Sequence, residues 1–398
     1  MKRITIILLF AGLLWLQGCS SPSSDFDAKT KTKAEAQTNS ETKTETMPDS
    51  ETTLVYERSM ELQYAEQFRI DYYADGYVMV CVADGRKYLI VPEDAKPPQD
   101  LETDIIILQR PFDNIYLVAS AVMDMFCELD ALDSLRFSGQ KAEGWSIPQA
   151  QEAMEQGTIL YAGKYSMPDY ELIVSEGCSL AIENNMILHS PEVIEKLEDF
   201  GIPTLIDQSS HESHPLGRVE WIKLYGVLLG KEAEAQAAFE EQVQSMERAA
   251  TDIASEKTVA FFYITTNGMV NVRVSSDYVP KMIQLAGGKY IFDNLGDGDS
   301  SRSTVTMQME EFYHTAKDAD YLIYNSTIDG EIESFDALLQ KESLLKDFKA
   351  VQSGNVWCTT RDMYQQSMSI GQMIEDIHSM LSDDSSAREN IVYLYPLE

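Results

Sequence analysis

The stretch EAEAQAAFEEQVQSMERAA, Glu232–Ala250, follows Leu228-Leu229-Gly230-Lys231 and contains neither Pro nor Gly. Its Ala, Glu, Gln and Met are strong helix formers, and it lies within helical periodicity running from Pro215 to about Ser255. On both sides the chain alternates between short apolar runs and helical ones. The helix therefore reads as a rod between two α/β lobes. A single packed helix resists bending, so small closures are expected rather than wide hinge motions.

Ahead of the rod, Phe68–Tyr73, Tyr77–Val82 and Lys87–Val91 read as strands, the last two joined by a turn at Asp84-Gly85 that signals a hairpin. Strand candidates follow at Asp104–Leu108, Leu135–Phe137, Ile159–Tyr161, Ser179–Ile182 and Thr204–Ile206. Helices are expected at Tyr116–Leu129, Tyr170–Glu176 and Glu192–Phe200. After the rod come strands Val259–Ile264, Val270–Val274, Tyr321–Asn325 and Asn355–Thr359, with helices Tyr278–Ala286, Met309–Ala316, Phe335–Val351 and Tyr364–Leu381. Such alternation predicts two lobes, each a mainly parallel sheet flanked by helices, with an N-terminal β-hairpin extension. The expected divisions are 54–214 for the first lobe, 215–255 for the helical stretch and 256–398 for the second lobe.

The chain has 398 residues, 44 % of them hydrophobic, enough for real cores. Lys plus Arg number 31 against 65 Asp plus Glu, a net charge of −34. A surface this acidic repels nucleic-acid phosphates and anionic headgroups, which excludes nucleic-acid binding. Five cysteines, at 19, 81, 127, 178 and 358, form no C-x-x-C pair. Those after Cys19 sit in apolar runs and read as small buried thiols.

The first residues have a separate logic. Met1-Lys2-Arg3 precedes mostly apolar Ile4–Leu16, the layout of a secretion signal over 1–18. Leu16-Gln17-Gly18-Cys19 resembles the bacterial lipobox, which implies diacylglycerol on Cys19. Residues 19–53, rich in Ser, Thr, Lys and Glu, read as a disordered tether. These features place the protein at the cell membrane, lipid-anchored on the extracytoplasmic side.

The segment Pro168-Asp169-Tyr170-Glu171-Leu172-Ile173-Val174-Ser175-Glu176-Gly177-Cys178-Ser179-Leu180-Ala181-Ile182 resembles a block of the bacterial ABC-transporter substrate-binding proteins for siderophores, haem and cobalamin. Here Tyr170 replaces the usual Leu, and Cys178-Ser179 stand where Pro-Asp is common. Leu197–Pro203, Tyr225–Lys231, Gly287-Gly288, Val305–Glu310 and Asp318–Tyr324 fall in that family's order, and the resemblance covers roughly residues 60–385. It implies a monomeric receptor that captures an iron-siderophore, haem or corrinoid and passes it to an ABC permease dimer with its ATPase. It also implies one exposed acidic docking residue per lobe: Glu171 in the first, Glu310 or Glu311 in the second. Arg–carboxylate pairs to the permease would supply geometric specificity. The bland alternative is a solvated Glu at a helix start, favoured by the helix dipole.

Ligands of open α/β sheets lie beyond the carboxyl ends of the strands. That rule nominates Arg110, Trp145, Tyr165, Asn184, Asn185 and the run Gln208–His211 in the first lobe. In the second it nominates Thr266, Asn267, the loop Asn294–Arg302, Asn325 and the run Arg361–Gln365, including Tyr364. Arg110 and Arg302 suit a carboxylate or catecholate, while Trp145, Tyr165 and Tyr364 suit stacking. Core packing and surface ion pairs are the competing readings. His211-x-x-His214 reads as two solvated imidazoles rather than a metal site, and no cofactor is expected. There is no G-x-S-x-G, phosphate-binding glycine loop or H-E-x-x-H, so the chain is read as non-enzymatic. The rival to transport is a two-lobed lipoprotein acting as a ligand sensor or surface interaction module.

Overall fold

The computed structural model describes residues 54–250, 256–296, 302–328, 330–382 and 385–398. The signal segment, Cys19 and the tether over 19–53 lie outside them, as do residues 297–301 of the Asn294–Arg302 loop.

The first lobe is built on a five-stranded sheet whose strands are all parallel. Its order is Thr204–Asp207, Ala181–Asn184, Ile115–Leu117, Leu135–Ser138, Leu160–Tyr161. Helices Val122–Glu128, Pro148–Glu155, Tyr170–Ser175 and Pro191–Asp199 flank it. The second lobe carries a mixed sheet ordered Thr304–Met307, Val270–Arg273, Thr258–Ile264, Tyr321–Tyr324, Val356–Thr359, Leu394–Pro396. Its centre is parallel and its edges antiparallel.

The rod is present as one helix, Glu232–Ala250. Gly230, in the left-handed region at φ 69°, closes the preceding helix Ile222–Leu229 and lets the chain turn into it. The rod packs against Ile222–Leu229 on one side and the C-terminal helix Ile370–Leu381 on the other. Apolar side chains of both lobes join in one core that runs through it, including Leu224, Phe239, Met246 and Ile374.

The structure corrects four expectations. The N-terminal extension is a five-stranded sheet, Tyr56–Ser59, Phe68–Tyr73, Val78–Val82, Lys87–Val91 and Ile105–Gln109, in that spatial order, and not a hairpin alone. The hairpin at Asp84-Gly85 forms its centre. Ile105–Gln109 joins it parallel to Lys87–Val91, which the long link after Val91 allows. The helix expected at Tyr116–Leu129 begins only at Val122, because Tyr116 and Leu117 pair with strands on both sides. Phe335–Val351 breaks at Glu342, whose carboxylate accepts from Leu344 N at 2.9 Å. The C-terminal helix starts at Ile370 rather than Tyr364, since Ser367 and Met368 turn their polar groups onto the first lobe.

Candidate functional site

The carboxyl ends of the first-lobe strands meet loops of the second lobe around a cavity of about 440 Å³. From the first lobe it is lined by Ala119 and Ser120 after Ile115–Leu117, by Asn184 and Asn185, and by Asp207, Ser209, Ser210 and His211. The facing wall holds Val274, Ser276 and Asp277, with Arg302, Ser303 and Tyr364. Arg218, on the short helix Pro215–Glu220, completes it. A second cavity of about 520 Å³ adjoins the first and shares Ser213, Ser276 and Asp277 with it.

The acidic groups here are internally engaged. Asp207 accepts from Ser209 N at 3.1 Å and Ser209 Oγ at 2.5 Å through Oδ1, and from Tyr225 OH at 2.7 Å through Oδ2. Burial pushes its carboxyl up, and these hydrogen bonds oppose the shift. Asp277 caps the helix Tyr278–Leu285 by accepting from Val279 N at 3.0 Å, and Arg273 Nη1 lies 3.5 Å from its other oxygen. Burial raises this carboxyl too, against the pull of Arg273. Arg218 donates to the Ser210 carbonyl at 3.0 Å and lies 4.0 Å over the Tyr278 ring. Tyr364 OH receives Asn325 Nδ2 at 2.9 Å and an Arg273 guanidinium N–H. Asn185 Nδ2 donates to Ser210 Oγ at 3.0 Å, while its Oδ1 is buried without a partner among the described residues. Two guanidinium groups among hydroxyls and amides, with carboxylates already satisfied, make a site able to hold an oxygen-rich anion.

Of the residues nominated from sequence, Asn184, Asn185, Ser209, Ser210, His211, Arg302 and Tyr364 come together on this cavity. Asn325 is buried behind Tyr364 and holds it. The others lie elsewhere. Arg110 turns toward the helix Ile222–Leu229 and donates to the Val227 carbonyl. Trp145 is 2 % exposed and its Nε1 donates to Ser138 Oγ at 3.2 Å, so it serves the core. Tyr165 packs against a separate apolar cluster. Thr266 and Asn267 occupy the exposed turn before Val270–Arg273, where Asn267 accepts from Thr265 Oγ1 at 2.5 Å. Arg218 and Asp277 were not foreseen; the scarcity of basic residues was the one signal that could have flagged Arg218.

The two imidazoles do not converge. His211 is exposed, with Nε2 3.3 Å from Asn185 Nδ2. His214 is not solvated as expected: it is half-buried, stacks on Tyr64 at 4.4 Å and accepts from Leu216 N. Burial pushes its pKa down to about 4, which keeps it neutral. Among the described residues no group of three or more His, Cys, Asp or Glu is disposed to hold a metal. Glu171 and the Glu310/Glu311 pair are exposed in the first turns of Tyr170–Ser175 and Met309–Ala316. No helix of the described residues is long and apolar enough to cross a membrane.

Residues 118–362 match the family described as periplasmic binding protein. An uncharacterized lipoprotein of Methanocaldococcus jannaschii is 27 % identical over 76 % of this chain and 78 % of its own length. A second lipoprotein of that organism is 24 % identical over 85 % of each. The fold is shared with the haem-binding protein HutB of Vibrio cholerae (TM-score 0.55, 18 % identity, 66 % of this chain and 98 % of that one). It is shared as well with the petrobactin-binding protein YclQ of Bacillus subtilis (TM-score 0.58, 14 % identity, 78 % of this chain and 100 % of that one).

Proposed function

Because the chain belongs to the periplasmic binding protein family, we propose that it is a lipid-anchored solute receptor that binds an anionic iron–siderophore chelate and delivers it to an ABC importer. The observation carrying the ligand class is the pairing of Arg218 and Arg302 across a cavity otherwise rich in Ser and Asn. On a chain of net charge −34, two guanidinium groups in one cleft favour a catecholate or carboxylate oxygen. A flat macrocycle such as haem would want broad apolar walls, and the aromatic lining here is Tyr364 alone among the lining residues. The solved relatives include binders of both kinds, for haem and for petrobactin. Glu171 and Glu310 would engage the permease dimer, Cys19 would carry the anchor, and Asn184, Asn185 and Tyr364 would contact the chelate beside the arginines.

Titration with a panel of ferric tris-catecholates, ferric citrate, haem and cobalamin, read by tryptophan fluorescence, tests this. The expected outcome is saturable binding of an anionic ferric chelate, weakened about tenfold or more by Arg302→Ala with the melting temperature unchanged. Preference for haem or cobalamin, or binding indifferent to Arg302, overturns the ligand class. Silence across the panel would favour the sensor or surface-module reading.

A further inference from the structure

The chain ahead of residue 118 lies outside the family match, yet part of it is fastened to the loop that builds one wall of the cavity. Glu212 belongs to that wall and is 3 % exposed. Its Oε2 accepts from Glu66 N at 2.9 Å, and its Oε1 accepts from Gln67 N at 2.9 Å and Trp221 Nε1 at 3.0 Å. Glu220, fully buried on the helix that follows, accepts from Gln63 N at 2.9 Å and from Tyr64 N and Ala65 N at 2.8 Å. Lys223 Nζ lies 2.7 Å from it and balances its charge. Five consecutive backbone N–H groups, Gln63 to Gln67, thus end on two buried carboxylates.

The side chains follow the same pattern. Tyr64 stacks on His214, and Gln208 Nε2 donates to Asp84 Oδ2 at 3.0 Å in the hairpin turn of the N-terminal sheet. The loop from Gln208 to His214 is therefore gripped at both ends by residues outside the family match. Between the grips its regular structure is one short turn, Ser209–His211. Charge-assisted bonds to backbone amides are strong, and a buried amide that loses its acceptor is destabilising.

We propose that Gln63–Gln67 is a positioning strap for the solute site: acting through Glu212 and Glu220, it fixes the loop that presents Ser209, Ser210 and His211 to the ligand and so sets affinity. This rests on the solute-receptor reading above. Glu220 does not line the cavity, so any effect of changing it on binding must travel through the strap or the helix.

The experiment compares wild-type protein, Glu212→Gln, Glu220→Gln and Gly226→Ala, the last a destabilising change on the helix Ile222–Leu229 where it packs against the rod, touching neither strap nor cavity. Amide hydrogen exchange without ligand reads the loop directly. Exchange at Ser209–Ser213 is expected to quicken about tenfold in either Glu variant and to stay at the wild-type rate in Gly226→Ala. Affinity for a ferric tris-catecholate probe is expected to fall about tenfold in the Glu variants, beyond any loss in Gly226→Ala at equal melting temperature. Unchanged loop exchange, or affinity that tracks melting temperature alone, overturns the strap. If wild-type protein does not bind the probe, the ligand reading fails while the exchange measurement still decides the strap. Should Glu220→Gln fail to fold because Lys223 loses its counter-charge, Glu212→Gln alone carries the decision.

Discussion

Glu183 sits on the interior strand Ala181–Asn184 of the first-lobe sheet, fully buried, and neither of its carboxylate oxygens has a partner among the described residues. It shares a face with Ala181, so it points into the apolar layer under the helices Tyr170–Ser175 and Pro191–Asp199. The neighbouring Tyr116 hydroxyl is already committed to the Gly163 carbonyl at 2.8 Å. Burial pushes Glu183 up to about 8. The native chain then holds this proton up to pH 8, whereas the unfolded chain releases it near 4.5, the ordinary glutamate value. Stability therefore falls as pH rises through that window, by about 1.4 kcal/mol per pH unit, and levels off above it. Glu183→Gln, neutral at every pH, should stabilise the protein by about 3 kcal/mol at pH 7 and raise its melting temperature by roughly 5 °C. It should also flatten the melting-temperature profile between pH 5 and 8. A variant as pH-sensitive as wild type would place the proton elsewhere. At this scale the sequence reveals residue type but not facing. Asn184 and Asn185 were legible because a parallel strand must end at the cleft. Arg110 and Trp145 were not, since their nearest acceptors, the Val227 carbonyl and Ser138 Oγ, are set by tertiary packing.

The rod is held by close backbone approach at two of its neighbours. A Cβ on Gly226 would stand 2.6 Å from Ala235 Cβ, and one on Gly371 would stand 2.6 Å from Ser245 Cβ. The first glycine belongs to the helix Ile222–Leu229 that leads into the rod and the second to Ile370–Leu381 near the C-terminus, so helices from before and after the rod each contribute one contact. Neither partner atom is the end of a flexible side chain, so the helices must move apart to admit a methyl group. Gly226→Ala and Gly371→Ala should each lower stability by about 1–3 kcal/mol in denaturant titration. Their contact points on the rod are ten residues apart, about 15 Å, so the double variant should be close to additive. Neutral substitutions would mean that the lobes are held by other contacts. The rod itself was readable because nineteen residues free of Pro and Gly leave helix as the economical choice. The failures at Tyr116 and Glu342 are cases where strand pairing, or one side chain capping a new turn, overrode local propensity. The extra edge strand Ile105–Gln109 was visible as a strand, but its sheet was not, because pairing partners are not a local property.

Beyond the rod, the two lobes are stitched together directly. Gln365 accepts from Ser146 N at 2.7 Å and donates to the Gly144 carbonyl at 2.9 Å. Ser367 Oγ donates to the Ala121 carbonyl at 2.6 Å, and Asp124 accepts from Met368 N at 2.7 Å. These bonds and the shared core tie the two walls of the cleft to each other, so on the proposed function a ligand would meet a nearly formed cavity. The approach is governed by the net charge of −34. In dilute salt, about 10 mM, the Debye length is about 30 Å, comparable with the whole body, and an anionic chelate feels every carboxylate. Near 150 mM it shrinks to about 8 Å, and on the proposed function a ligand at the mouth would respond chiefly to the groups lining the cavity, Arg218 and Arg302 among them, rather than to the distant acidic surface. Stopped-flow association of a ferric tris-catecholate should therefore accelerate as salt rises between these limits, the reverse of a steered encounter between opposite charges. A neutral ferric chelate should show no such trend. An association rate that falls with salt would mean that the arginines dominate the field at long range, and the acidic surface would then need another explanation.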